Sequence, residues 1–201
     1  MTNAALAPLP EEPAPAAVTP APADLGRVLA PDTVRFERLL PGPVERVWAY
    51  LVESDKRGLW LASGTLEPRV GGAVELTFHN VTLSPEPVPE RYRARSGPIA
   101  SRQEVTRFEP PHALAFTWGS AAAPSEVLFE LASEGDRVRL TLTHTRLDRQ
   151  ARLDVSGGWH THLAVLAAHL DRREPPAFWS LLTTIEAAYG KGDGSGTCSA
   201  S

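Results

Sequence analysis

The residues best suited to chemistry in this chain are its histidines and tryptophans. His144 ends a run in which Val138, Leu140 and Leu142 share one face. A histidine on an apolar face near neutral pH is a candidate general base or ligand hydrogen-bonder. The competing role is a strand-end histidine bonded to a backbone carbonyl, and one lone residue does not outweigh it. His162 flanks an apolar helical stripe and is placed to meet His144 across an interior space. His160 and His162 form H-x-H, yet on a helix they point about 200° apart. His162 and His169 share a flank but stand two turns, roughly 10 Å, apart. Neither pair converges on one ion at bond lengths near 2 Å, and neither H-E-x-x-H nor a cysteine pair is present. No metal site and no cofactor is expected. Nucleophile-elbow, P-loop and dinucleotide motifs are missing too, since GDGSG at 192–196 has no strand before it. The acidic and basic residues Glu75, Glu126 and Glu130, and Glu45, Arg46, Glu53, Asp55, Lys56 and Arg57, read as solvated faces.

The positioning elements follow from periodicity. TVRFERLL (33–40) alternates as a half-buried strand. Val44, Val47, Trp48 and Leu51 form the apolar stripe of a short helix that opens at Pro43. It runs into a charged turn, ESDKRGLWL, from which Trp60 emerges. AVELTFHN (73–80) places Val74, Leu76 and Phe78 on one face. A long proline-rich loop spans 81–98. IASRQEVTRF (99–108) is a weaker strand. ALAFTWG (113–119) carries Leu114, Phe116 and Trp118 inward, and SEVLFELA (125–132) carries Val127, Phe129 and Leu131. EGD (134–136) turns the chain into RVRLTLTHTRL (137–147). These one-faced strands describe an antiparallel meander with a single buried side. Its cover is a helix over 157–172, in which Trp159, Leu163, Leu166 and Leu170 share a stripe. A further helical pattern follows Pro175-Pro176, with Phe178, Leu181, Leu182, Ile185 and Tyr189. It offers a surface for homodimerisation; packing back on its own domain is the favoured alternative.

Composition sets the frame. The chain has 201 residues, 42% hydrophobic and 22% charged, with a net charge of −4. That balance is globular and acidic, which argues against nucleic acid as partner. The single cysteine, Cys198, excludes an intrachain disulfide. No apolar run approaches the roughly 20 residues a membrane helix needs, and no signal-peptide pattern opens the chain. A cytoplasmic protein without membrane insertion is expected. Residues 1–31 are rich in alanine and proline, which break helix and strand alike, so a disordered tail is expected there. Residues 191–201 are Gly- and Ser-rich and expected to be a second tail. The folded part is 32–190.

This α+β order, with the phrases PGPVERVWAYL, LWLA (59–62), RFEPPHALAFTWG (107–119), SEVLFELASEGDRVRLTLTHTRL (125–147) and GWHTHLAVLAAHLDRREPPAFW (158–179), resembles the SRPBCC superfamily of START-like helix-grip folds. Within it, the chain is similar to the branch named for the C-terminal domain of the activator of the heat-shock-protein-90 ATPase. The resemblance implies a curved antiparallel sheet of six to seven strands around a long C-terminal helix, plus one extra C-terminal helix. It also implies a cavity between sheet and helix. The inward stripes would line it with Trp60, Phe78, Phe116, Trp118, Phe129, His144, Trp159, His162, Leu163 and Leu166. Trp60, Trp118 and Trp159 are the stronger pocket candidates, because a buried indole N–H needs a partner. Ordinary core is the plain alternative for every one of them. The leading expectation is non-enzymatic binding of a small hydrophobic or amphipathic molecule. The alternatives are a cyclase-, aromatase- or hydrolase-like enzyme using His144, and a co-chaperone that stimulates a heat-shock ATPase.

Overall fold

The computed structural model of the protein describes residues 25–192. Seven antiparallel strands form one sheet in the order β1-β2-β7-β6-β5-β4-β3. They are β1 (Arg27–Ala30), β2 (Thr33–Pro41), β3 (Ala73–Phe78), β4 (Ile99–Glu109), β5 (Ala113–Trp118), β6 (Ser125–Glu134) and β7 (Arg137–Thr145). Two short helices, α1 (Val44–Val52) and α2 (Ser54–Gly58), leave the end of β2. The long α3 (Arg149–Leu170) lies on the concave face, and α4 (Phe178–Gly192) packs on α3. This is the helix-grip α+β architecture that the alternation and the stripes call for.

Register explains why one face is core. Phe36 of β2 sits opposite Leu142 of β7, which sits opposite Phe129 of β6. Phe129 in turn faces Leu114 of β5, so one layer of large apolar groups crosses four strands. Strands alternate with period 2, so this single alignment sends every second residue of each strand to the same side.

Four details depart from the sequence reading. The expected 1–31 tail ends in structure: Arg27–Ala30 pairs with β2 as an edge strand, while residues 1–24 lie outside the described residues. Lys191 and Gly192 complete α4, and 193–201, with Cys198, also fall outside. The long helix begins eight residues before the expected Gly157. Asp148 caps it by accepting the Ala151 N–H at 2.8 Å, which satisfies one of the orphan donors of the first turn. The helix then runs through Gly157-Gly158 without breaking. Gly157 is there for contact: a Cβ at that position would come within 2.9 Å of the Glu186 Cγ of α4. Finally, the 81–98 loop contains two 3-10 turns, Asn80–Thr82 and Glu90–Arg95.

Candidate functional site

The inward aromatics do meet between sheet and helix. Phe116, Phe129 and Trp159 are buried, and Phe129 packs edge-on against both Trp60 and Trp159. Leu163 and Leu166 are buried beside them. These side chains fill the middle of the expected cavity with one another. They form a packed core: Phe129 meets Trp60 and Trp159 edge to face and Phe116 at a tilt, at centroid separations near 6 Å, within the favoured range for aromatic pairs. Two depressions lie elsewhere and are open to solvent. One, about 460 Å³, is on the outer sheet face between Arg107, Glu130 and Arg139. The other, about 560 Å³, lies between Leu59, Leu83 and His169.

Two of the expected residues behave differently. Phe78, at the end of β3, and Trp118, at the end of β5, remain partly exposed although both point to the concave side. Their rings meet edge to face at 5.6 Å. Trp118 also contacts Trp159 at 4.8 Å and His144 at 5.9 Å. A half-open aromatic ledge therefore sits on one edge of the packed interior.

Behind the ledge runs a closed chain of hydrogen bonds. The indole N–H of Trp159 donates to Nδ1 of His144 at 2.9 Å. An indole N–H can only donate, so the neutral ring carries its proton on Nε2. Nε2 donates to Oγ of Ser125 at 2.8 Å. The Ser125 hydroxyl donates to the carbonyl of Trp118 at 2.9 Å. His144 is fully buried, and desolvation lowers its pKa to about 4. The ring is thus neutral, with both nitrogens engaged.

This arrangement corrects the expectation that His144 opens into a cavity as a base. A serine–histidine pair is present, but the tautomer is reversed relative to a hydrolytic triad. There a carboxylate accepts from Nδ1–H and leaves Nε2 free to take the serine proton. Here Trp159 occupies Nδ1 as a donor, so Nε2 has no lone pair for Ser125. The pair fixes ring positions and is not set up for proton transfer.

His162 does not face His144 either. Its Nδ1 donates to the Trp60 carbonyl at 2.6 Å, and its ring lies 5.1 Å from that of Phe178. Burial outweighs that hydrogen bond and lowers its pKa to about 4. It ties the Trp60 segment to α3. Trp60 is itself anchored by donating its indole N–H to the Tyr50 carbonyl at 2.8 Å.

The charged pattern around Arg57 suggests helix surface, yet the residue is 2% exposed. Its guanidinium donates to the carbonyls of Leu51, Val52, Ala62 and Gly64. Leu51 and Val52 end α1, and Ala62 and Gly64 follow Trp60, so the buried cation pins the segment that carries Trp60 to the end of α1. Gly64 is part of the same design. It has a φ of +120°, and a Cβ there would collide with the Glu75 carbonyl.

Ser125 is a further site residue that sequence motifs do not single out. Its signal was available: it shares parity with Val127, Phe129 and Leu131, and so faces inward. Among the described residues, no group of three or more histidine, cysteine, aspartate or glutamate side chains is gathered to hold a metal. No helix among them is long and apolar enough to cross a membrane.

A family model described as "Activator of Hsp90 ATPase homolog 1-like protein" matches residues 41–171. The chain belongs to that family. Its match starts at the end of β2 and ends at the end of α3, so it takes in the ledge, the His144 chain and the Arg57 turn. A solution NMR structure of a Bordetella parapertussis protein is 50% identical, with a TM-score of 0.74 over 87% of this chain and 94% of that one. The crystal structure of CalU16 from Micromonospora echinospora is 21% identical, with a TM-score of 0.59 over 79% and 86%. A protein of Enterococcus faecalis is 18% identical, with a TM-score of 0.60 over 85% and 90%. The last two share the fold. No curated protein matches the chain at comparable strength.

Proposed function

We propose that this member of the family binds a small planar ligand, apolar or amphipathic, on the aromatic ledge of Phe78 and Trp118. The observation that carries the reading is the contrast in exposure. The fold buries Phe116, Phe129, Trp60 and Trp159, yet leaves two large inward-pointing aromatics partly in water. Solvent-accessible apolar surface at the edge of a concave face is where small ligands gain most. The Trp159–His144–Ser125–Trp118 chain supports the reading, because it holds the Trp118 backbone and the Trp159 ring in place before a ligand arrives. Binding without turnover fits the reversed histidine tautomer.

The test uses 8-anilino-1-naphthalenesulfonate as probe and reads the indole N–H signals of the five tryptophans by NMR. Trp118 and Trp159 signals shift on binding. Trp48 packs edge-on against Phe108 in a separate contact, and its signal stays in place. Trp118→Ala weakens binding by roughly tenfold, the loss of one aromatic face and its contact area. Saturating probe that leaves the Trp118 signal unmoved, or binds the Trp118→Ala protein equally well, removes the proposal.

The family's description suggests a second reading, stimulation of a heat-shock-protein ATPase. Its measurement is the turnover of that ATPase with and without this chain, and unchanged turnover ends it.

A further inference from the structure

The connection between β3 and β4 leaves the sheet directly after Phe78 and returns at Ile99, which pairs with Phe78. The residues between form a strap beside the ledge. Among the described residues, its side-chain hydrogen bonds to the rest of the protein go to α4, at two places.

The first is the α4 N-terminus. Pro175, Pro176 and Ala177 precede that helix and supply no side-chain acceptor for its free N–H groups. The strap supplies them. Oγ of Ser84 accepts the Phe178 N–H at 3.1 Å, and Oε1 of Glu86 accepts the Ser180 N–H at 2.7 Å. A helix capped from a segment 94 residues away depends on that segment for its first turn.

The second place is two turns along. The Tyr92 hydroxyl donates to Oε2 of Glu186 at 2.5 Å, and its ring stacks on Trp179 at 5.1 Å. Arg91 donates to Thr183 and to Glu186, and lies over the Tyr92 ring. The stem of Glu186 in turn packs on Gly157 of α3, two residues from Trp159, whose ring backs Trp118 of the ledge. One glutamate therefore touches strap, α4 and α3 together.

We infer that the strap and the first turn of α4 open and close as one unit, with Glu186 as the latch, and that this motion gates access to the ledge. The gating rests on the ligand reading above; the joint motion does not. The strap cannot lift at Ser84 and Glu86 without uncapping α4. It cannot lift at Tyr92 without releasing Glu186, whose stem seats α4 against α3.

Amide hydrogen exchange on the full chain tests the joint motion without any ligand. Glu186→Gln keeps the shape and removes the charge, weakening the bonds from Tyr92 and Arg91. Glu86→Gln weakens the cap at the far end. Each variant speeds exchange at the same set of amides, residues 82–95 together with Phe178 and Ser180, by about fivefold to tenfold, the loss of one charged hydrogen bond. Exchange that quickens only near the substituted residue, with the other end unchanged, overturns the inference. Stopped-flow binding of 8-anilino-1-naphthalenesulfonate then tests the gate. Glu186→Gln raises the association rate with Phe78 and Trp118 intact, and an unchanged rate overturns the gating. Failure of the wild-type protein to bind the probe strikes the ligand reading and the gate, and leaves the exchange result to decide the joint motion.

Discussion

The two buried histidines make this protein acid-labile over a definable range. His144 and His162 both titrate at about 4 in the folded protein, because burial penalises their charged forms. In the unfolded chain a histidine titrates near 6.5. The folded pKa is depressed, so between roughly pH 6.5 and 4 the unfolded state binds more protons than the native state. Stability then rises with pH through that window. It is complete above about 6.5 and falls as the pH drops towards 4. At pH 5 each histidine costs about 2 kcal/mol, from the ratio of protonated populations in the two states. Together they remove about 4 kcal/mol from a domain whose whole stability is of the order of 5–15 kcal/mol. The assay is guanidinium denaturation at pH 8 and pH 5, with histidine side-chain NMR shifts followed in the native protein. His144→Asn keeps an acceptor and a donor at the site. It destabilises the protein somewhat at every pH and removes about half of the pH 8 to pH 5 loss. A His144 ring that titrates near 6.5 in the native protein, or a total loss under about 1 kcal/mol, would refute the argument that both rings are desolvated and neutral.

Other substitutions probe the parts that place the ledge. Arg57→Met strands four carbonyls that now share one guanidinium, so thermal unfolding falls by roughly 10 °C, equivalent to about 3–5 kcal/mol. Arg57→Lys recovers less than half of that, because a single ammonium lacks the fork that reaches all four acceptors. Gly64→Ala forces a Cβ into the Glu75 carbonyl at positive φ and lowers the melting temperature by several degrees, read by calorimetry. Ser125→Ala removes the acceptor for His144 Nε2. Its signature is a shifted His144 ring nitrogen signal together with a shifted Trp159 indole signal, and a change in only one of them argues against a connected chain.

Most of the fold was legible because it depends on periodicity. Strands β2 to β7 each turn alternate residues to the core, so alternation located them and identified Phe116, Phe129 and Leu142 as inward, although β5 also buries Ala113 and Ala115 of its other face. The stripe of Trp159, Leu163 and Leu166 marked the covering helix for the same reason. The helix start was less legible: Gly157-Gly158 looks like a break until α4 is packed against it. β1 was lost in a segment whose composition suggests no structure, since a four-residue edge strand is stabilised by its neighbour rather than by its own pattern.

The candidate site divides along the same line. Residue type and strand parity placed Trp118, Phe78 and His144 on one concave face, and the helical stripe set Trp159 against it. Whether that face held a cavity, a catalytic base or a packed core was a question of distances between strands and helix. Only tertiary structure set the Trp159 indole against Nδ1 of His144, which decided the tautomer and removed the base. It also turned Arg57 from an apparent surface charge into a buried pin, because the acceptors that hold it are backbone carbonyls with no signature in the sequence. Patterns in a sequence report which way a side chain points; what it meets there depends on distant chain segments, as His162 meets the Trp60 carbonyl 102 residues away.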